Sequence, residues 1–250
     1  MLFDYYMPFS DHYLDLYMTF IITGFFILLE IPIAKRYLLK RKPITLFLFL
    51  MYLCLIGTTF SGGLGFLFWY LSGNVNDAYR WTVGVTICFT MGANLMLFFF
   101  SELIFSNISE SPTRKWVAAA FTALSVVCII LLADMPANNY LGYDGTDTFP
   151  LRRWIAQGIW LIAILLINLQ ALTRFILLKK KLEKTDQSQA GIRSIICVFF
   201  FQILALIFLG LDTINSISHT IPVLTDFVFL MELALLFSSV FAYRGFILQK

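Results

Sequence analysis

The most suggestive residue for chemistry is a carboxylic acid inside an apolar run. Glu232 stands between Met231 and Leu233, and counting about 1.5 Å per residue from Pro222 puts it roughly 15 Å into a helix. Ionisable groups at such depth are costly, so each is a functional hypothesis. Asn94 lies about 21 Å beyond Arg80 by the same count, which lets the two approach at mid-depth. Gln202 and Asn168 add neutral polar groups in the central-to-inner zone of two other apolar runs. Together they make a candidate ligand or proton site. The alternative is a protonated Glu232 that bridges helices through hydrogen bonds, and the sequence leaves both open.

Other polar groups sit nearer the run ends. Glu30 and Glu102 suit interfacial salt bridges, Glu102 with loop residues such as Arg114 or Lys115. His12, Asp15, Asp212, His219 and Asp226 fall at the opposite ends and could gather as an outer rim if their helices are neighbours. Solvated helix ends are the preferred reading of them, and no metal site is assigned. Tyr143 to Asp147 carries only half the ligands of a Ca²⁺ loop. The Asn107-Ile108-Ser109 acceptor pattern falls on the side expected to be cytoplasmic, where it is fortuitous. The stretch Ser61-Gly62-Gly63-Leu64-Gly65 allows a kink or a close helix contact.

These residues must be held by membrane helices. The chain has 250 residues, 60% hydrophobic and 13% charged, about half the charge of a soluble domain. Charges cluster between apolar runs of roughly 20 residues or more, the length that crosses a bilayer. Seven runs qualify, at about 13–35, 44–71, 81–106, 115–134, 154–178, 194–217 and 222–245. The expected fold is an all-α, polytopic seven-transmembrane-helix bundle forming a single transmembrane domain over 1–250.

Positive charge sets the orientation. Lys35, Arg36, Lys40, Arg41, Lys42, Arg114, Lys115, Lys179, Lys180, Lys181, Lys184, Arg193 and Arg244 alternate with the loops holding Asp4, Asp11, Asp77, Asp134, Asp144 and Asp147. The N-terminus is therefore expected outside and the C-terminus in the cytoplasm of a multi-pass cell-membrane protein. Arg80-Trp81 and Arg153-Trp154 mark interfaces, the arginine snorkelling beside an interfacial tryptophan. No cleavable leader is expected, because the first apolar run is too long and lacks a basic segment before it. The basic clusters abut spans, so topology explains them and no nucleic-acid partner is expected. The lipid bilayer is the first partner. Lys179, Lys180, Lys181 and Lys184 could also meet a cytoplasmic protein or anionic lipid.

Several chemistries are excluded. A covalent retinal needs a lysine in the last span, where Leu230 stands instead, so no cofactor is expected. Span three ends in Ser101-Glu102-Leu103-Ile104 and span seven lacks Asn-Pro-x-x-Tyr, unlike G-protein-coupled receptors. The only histidines, His12 and His219, are too marginal for haem ligation. Neither H-E-x-x-H nor G-x-S-x-G occurs, so no enzyme is expected. The cysteines Cys54, Cys88, Cys128 and Cys197 lie inside apolar runs and suit packing.

The compact basic turn from Lys35 to Pro43, the aromatic-glycine second span and the close spacing thereafter resemble prokaryotic seven-helix membrane sensor domains of histidine kinases and cyclases. That resemblance implies a ligand-sensing bundle. In those sensors an output domain follows span seven, whereas Lys250 closes this sequence, so signalling would pass to a separate partner or a homo-oligomer. The competing expectation is a small proton-coupled transporter or channel, built from two three-helix repeats joined by a linker helix. Arg36 to Lys40 and Arg174 to Lys179 are its faint repeat. A structural subunit of a membrane complex is the third.

Overall fold

The computed structural model describes residues 12–72, 77–105, 151–181, 186–218 and 227–246, together with scattered positions from 116 to 127. Apart from Arg41 and Lys42, every described residue is helical. The helices are α1 (His12–Lys40), α2 (Pro43–Ser72), α3 (Asp77–Phe105), α4 (Leu151–Lys181), α5 (Asp186–Ser218) and α6 (Phe227–Phe246). Among the described residues, five stretches are long and apolar enough to cross a membrane: Leu16–Lys40, Pro43–Gly65, Gly84–Leu103, Gly158–Lys180 and Gln189–Leu211. The chain is a multi-pass membrane protein.

Most of the expected span 115–134 lies outside the described residues. Its described positions are helical, and Phe121 is buried in the core. The charged stretch from Lys179 to Arg193, expected as a loop that could lengthen the preceding helix, is largely helix. Here α4 runs on to Lys181 and α5 already begins at Asp186. Lysine and glutamine propagate a helix well, so loss of apolarity marks the membrane boundary and not the helix end.

The helices pack in sequence order, α1 on α2, α2 on α3, α3 on α4, α4 on α5 and α5 on α6, and α6 returns to α1. The result is a closed ring. Its outer surface carries large apolar side chains such as Leu28, Leu53, Ile162, Leu166 and Phe200, while small and polar ones turn inward. This is the arrangement lipid requires, since a polar group facing hydrocarbon has no partner.

Local chemistry sets the joints. Arg41 adopts φ 46° after the end of α1, and its amide bonds the Tyr37 carbonyl at 2.7 Å, an αL stop that satisfies an otherwise orphan carbonyl. Pro43 then opens α2, where a missing N–H costs nothing. The Thr45 hydroxyl donates to the Lys42 carbonyl at 2.7 Å and fixes the turn. Between α2 and α3 the approach is closest at Gly57. A Cβ there would lie 2.6 Å from the Phe89 ring, so only glycine admits that contact.

Candidate functional site

One face of α3 presents Thr82, Thr86, Thr90 and Asn94, a four-residue repeat that stacks side chains one turn apart. Thr86, Thr90 and Asn94 reach back into their own helix. The Thr86 hydroxyl donates to the Thr82 carbonyl at 2.7 Å, Thr90 to the Thr86 carbonyl at 2.7 Å, and the Asn94 amide to the Thr90 carbonyl at 2.8 Å. On α2, Thr58 and Thr59 do the same toward Cys54 at 3.0 Å and Leu55 at 3.1 Å. Back-bonding of this kind lets hydroxyls line a membrane interior without stranding their protons.

The same groups join the helices into a polar girdle. Thr19 of α1 donates to Glu232 Oε1 of α6 at 2.6 Å. Thr23 of α1 meets Thr59 of α2 at 2.8 Å. Between α2 and α3, Ser61 pairs with Thr86 at 2.8 Å and Thr90 with Thr58 at 3.3 Å. The Asn168 amide of α4 donates to Asn94 Oδ1 of α3 at 2.8 Å. Five of the six described helices are thus linked through side chains around the interior.

The girdle surrounds a cavity of about 380 Å³, within the range of small-molecule sites. Its polar wall includes Thr19, Thr58, Thr86, Asn94, Asn168 and Glu232, and its apolar wall includes Ile22, Phe26, Leu206 and Met231. The lining reaches Gly65, Thr82 and Met231, which by helical rise lie within about 10 Å of the end of α2 and the starts of α3 and α6. Below Phe26, Met51 and Leu97 the described helices meet through aromatic rings. Phe26 packs on Tyr52, Phe47 on Phe99, and Phe100, Phe175 and Phe199 run across α3, α4 and α5 with centroids 5.3 to 6.4 Å apart.

Glu232, Asn94, Gln202 and Asn168 all line this one cavity. Glu232 bonds Thr19; one turn along α1 Thr23 meets Thr59, next to it Thr58 meets Thr90, and one turn beyond Thr90 on α3 Asn94 accepts from Asn168. The carboxyl group and the amide pair therefore occupy different levels of the same hollow. Glu102 forms an ion pair with Arg174 on α4. Arg114 and Lys115 lie outside the described residues. Glu30 is buried on α1, and among the described residues it makes no salt bridge and neither oxygen has a hydrogen-bond partner.

The rim residues are only partly within view. His12 and Asp15 begin α1 and Asp212 belongs to α5, with their side chains outside the description. His219 and Asp226 lie outside the described residues altogether. Among the described residues no three His, Cys, Asp or Glu gather to hold a metal. Lys179 and Lys180 end α4, with Lys180 exposed; Lys181 is helical, and Lys184 lies outside the described residues.

Sequence reasoning missed the threonines and Trp160. The repeat 82, 86, 90, 94 on α3 was the signal that could have found them. No protein-family model, curated protein or solved structure matches the chain, so its function is read from its own residues.

Proposed function

We propose that the chain is a seven-helix, receptor-like sensor of the cell membrane, with its N-terminus outside and its C-terminus in the cytoplasm. In this reading a small ligand enters the threonine-lined cavity from the outer face. The occupied state is then passed to a separate cytoplasmic partner. The observation that carries it is the closed ring whose interior is hollow toward one end and filled with aromatic rings toward the other. The hollow end is the one bearing the acidic loops, and the filled end bears Lys35, Arg36, Lys179 and Lys180, which the positive-inside bias assigns to the cytoplasm. A hollow stopped halfway suits binding better than passage. The basic ends of α1 and α4 lie beneath the aromatic packing, where a partner would read a shift of those helices.

One observation favours a second reading, a proton-coupled transporter: Glu232 is 2% exposed to solvent and lies on the cavity wall, a position that suits a proton carrier.

The two separate in sealed liposomes containing a pH-sensitive dye. The sensor reading expects proton entry under an imposed gradient no faster than in protein-free liposomes. Entry that is accelerated by the protein and abolished by Glu232→Gln would replace it with the transporter.

A further inference from the structure

The walls of the cavity are unequally supplied with donors and acceptors. A threonine hydroxyl has one proton and two lone pairs. Those of Thr58, Thr86 and Thr90 lie within donating distance of carbonyls in their own helices; Thr58 also accepts from Thr90 and Thr86 pairs with Ser61, and with two lone pairs each oxygen keeps accepting capacity on the cavity lining. Asn168 repeats the pattern. Its NH₂ serves both Asn94 Oδ1 and the Ile164 carbonyl, which fixes the orientation of the amide, since a flipped group would lose both bonds. Its Oδ1 is then buried with no donor, in a residue only 3% exposed. Glu232 adds a carboxyl group, while none of the described residues lining the cavity is Lys, Arg or His. Trp160 Nε1 is the one buried indole donor on this wall without a partner among the described residues.

A ligand that complements such a wall brings donors at its polar end and positive charge in preference to negative. The rest of it must be apolar, to lie against Ile22, Phe26, Leu206 and Met231. We propose that the cavity binds a small lipophilic ammonium ion, its N–H groups directed to the threonine oxygens and its charge to Glu232. This rests on the reading of the cavity as a ligand site and adds the chemical class of the ligand. The apolar body replaces dispersed contacts that an empty hollow lacks. The ammonium donates where an alcohol would offer a single proton and a carboxylate none.

The test uses three probes with one ring body: cyclohexylmethylammonium, cyclohexylmethanol and cyclohexanecarboxylate. Each is titrated at pH 7 against the full chain in nanodiscs, with the thermal unfolding midpoint as readout. Wild type, Glu232→Gln and Gly62→Leu are compared, because Gly62 lines the cavity and a Cβ there meets nothing within 4 Å. The leucine side chain therefore starts from an unobstructed Cβ and takes up space in the hollow.

The expected result is a saturable rise in midpoint with the ammonium at concentrations at least tenfold below those the alcohol needs, and none with the carboxylate. Glu232→Gln should bring the ammonium down to the level of the alcohol, and Gly62→Leu should abolish both responses. Equal or tighter binding of the alcohol or the carboxylate, lost in Gly62→Leu, overturns the ammonium assignment and leaves the ligand site standing. If none of the three probes gives a response that Gly62→Leu removes, the ligand site itself falls. Should Glu232→Gln fail to fold, the ranking of the three probes on wild type still decides the ligand class.

Discussion

The two halves of the ring are held together by different forces. Toward the end that carries Thr19 and Thr82, neighbouring helices meet through hydroxyl pairs around an open space. Toward the end that carries Tyr52 and Phe98, the described helices meet through stacked rings. A hydrogen bond between helices in a membrane contributes only about 0.6 kcal/mol on average, because the separated helices also find partners. Close aromatic packing contributes more, since each ring makes many dispersion contacts and water is absent from both states. The hydroxyl half is thus the part that can yield to a ligand, and the aromatic half is the fulcrum that stays put. A sensor needs both.

Substitutions in the two halves should separate by magnitude. The largest loss is expected from Phe175→Ala, which removes a ring that is 2% exposed and packed between Phe100 and Phe199. About 3 kcal/mol of unfolding free energy should go with it, as read by denaturant titration in bicelles. A cost under about 1 kcal/mol would mean that the aromatic half is not the rigid one.

Next in size is a glycine pair. Gly57→Ala should cost about 1–3 kcal/mol, because Phe89 and its helix must retreat from the new methyl. Gly62→Ala, over the hollow, should stay within about 0.5 kcal/mol. Equal costs would erase the distinction between contact and cavity.

Arg174→Ala should cost about 1–2 kcal/mol. Its ion pair with Glu102 is only partly exposed, and so stands between surface pairs and fully buried ones. A double-mutant cycle with Glu102→Ala should return a favourable coupling, and zero coupling would place the cost in lost packing of the arginine stem. The smallest effect belongs to the hydroxyl half: Thr23→Val should cost about 0.5 kcal/mol, since it removes one bond to Thr59 and keeps the shape.

Much of this architecture was legible in the sequence, for identifiable reasons. Apolar runs broken by Lys35 to Pro43 or by Asp77 gave the helices, because lipid permits little else. Glu232, Asn94, Asn168 and Gln202 stood out because a polar group in such a run must turn inward, and one cavity does receive all four. Their levels were not legible. Depth was counted from Pro222 and Arg80, which does not reveal that Glu232 pairs with Thr19 while Asn94 pairs with Asn168. Threonines escaped notice because a hydroxyl that bonds its own helix is inconspicuous in an apolar run. The partner of Glu102 escaped because Arg174 is 72 residues away, and only the packing of α3 on α4 brings them together.

In the proposed sensor the hollow half opens outward and the half packed with aromatic rings stays shut. Cysteine accessibility tests it most directly, in a background where Cys54, Cys88, Cys128 and Cys197 are replaced by alanine. Gly62→Cys should react with a charged, membrane-impermeant thiol reagent applied outside intact cells. Ala171→Cys, at a position 1% exposed beside the aromatic packing, should react from neither side. If Gly62→Cys is modified instead from the cytoplasmic face of inverted vesicles, or Ala171→Cys reacts as readily as Gly62→Cys, the division into an open outer half and a closed inner half is contradicted.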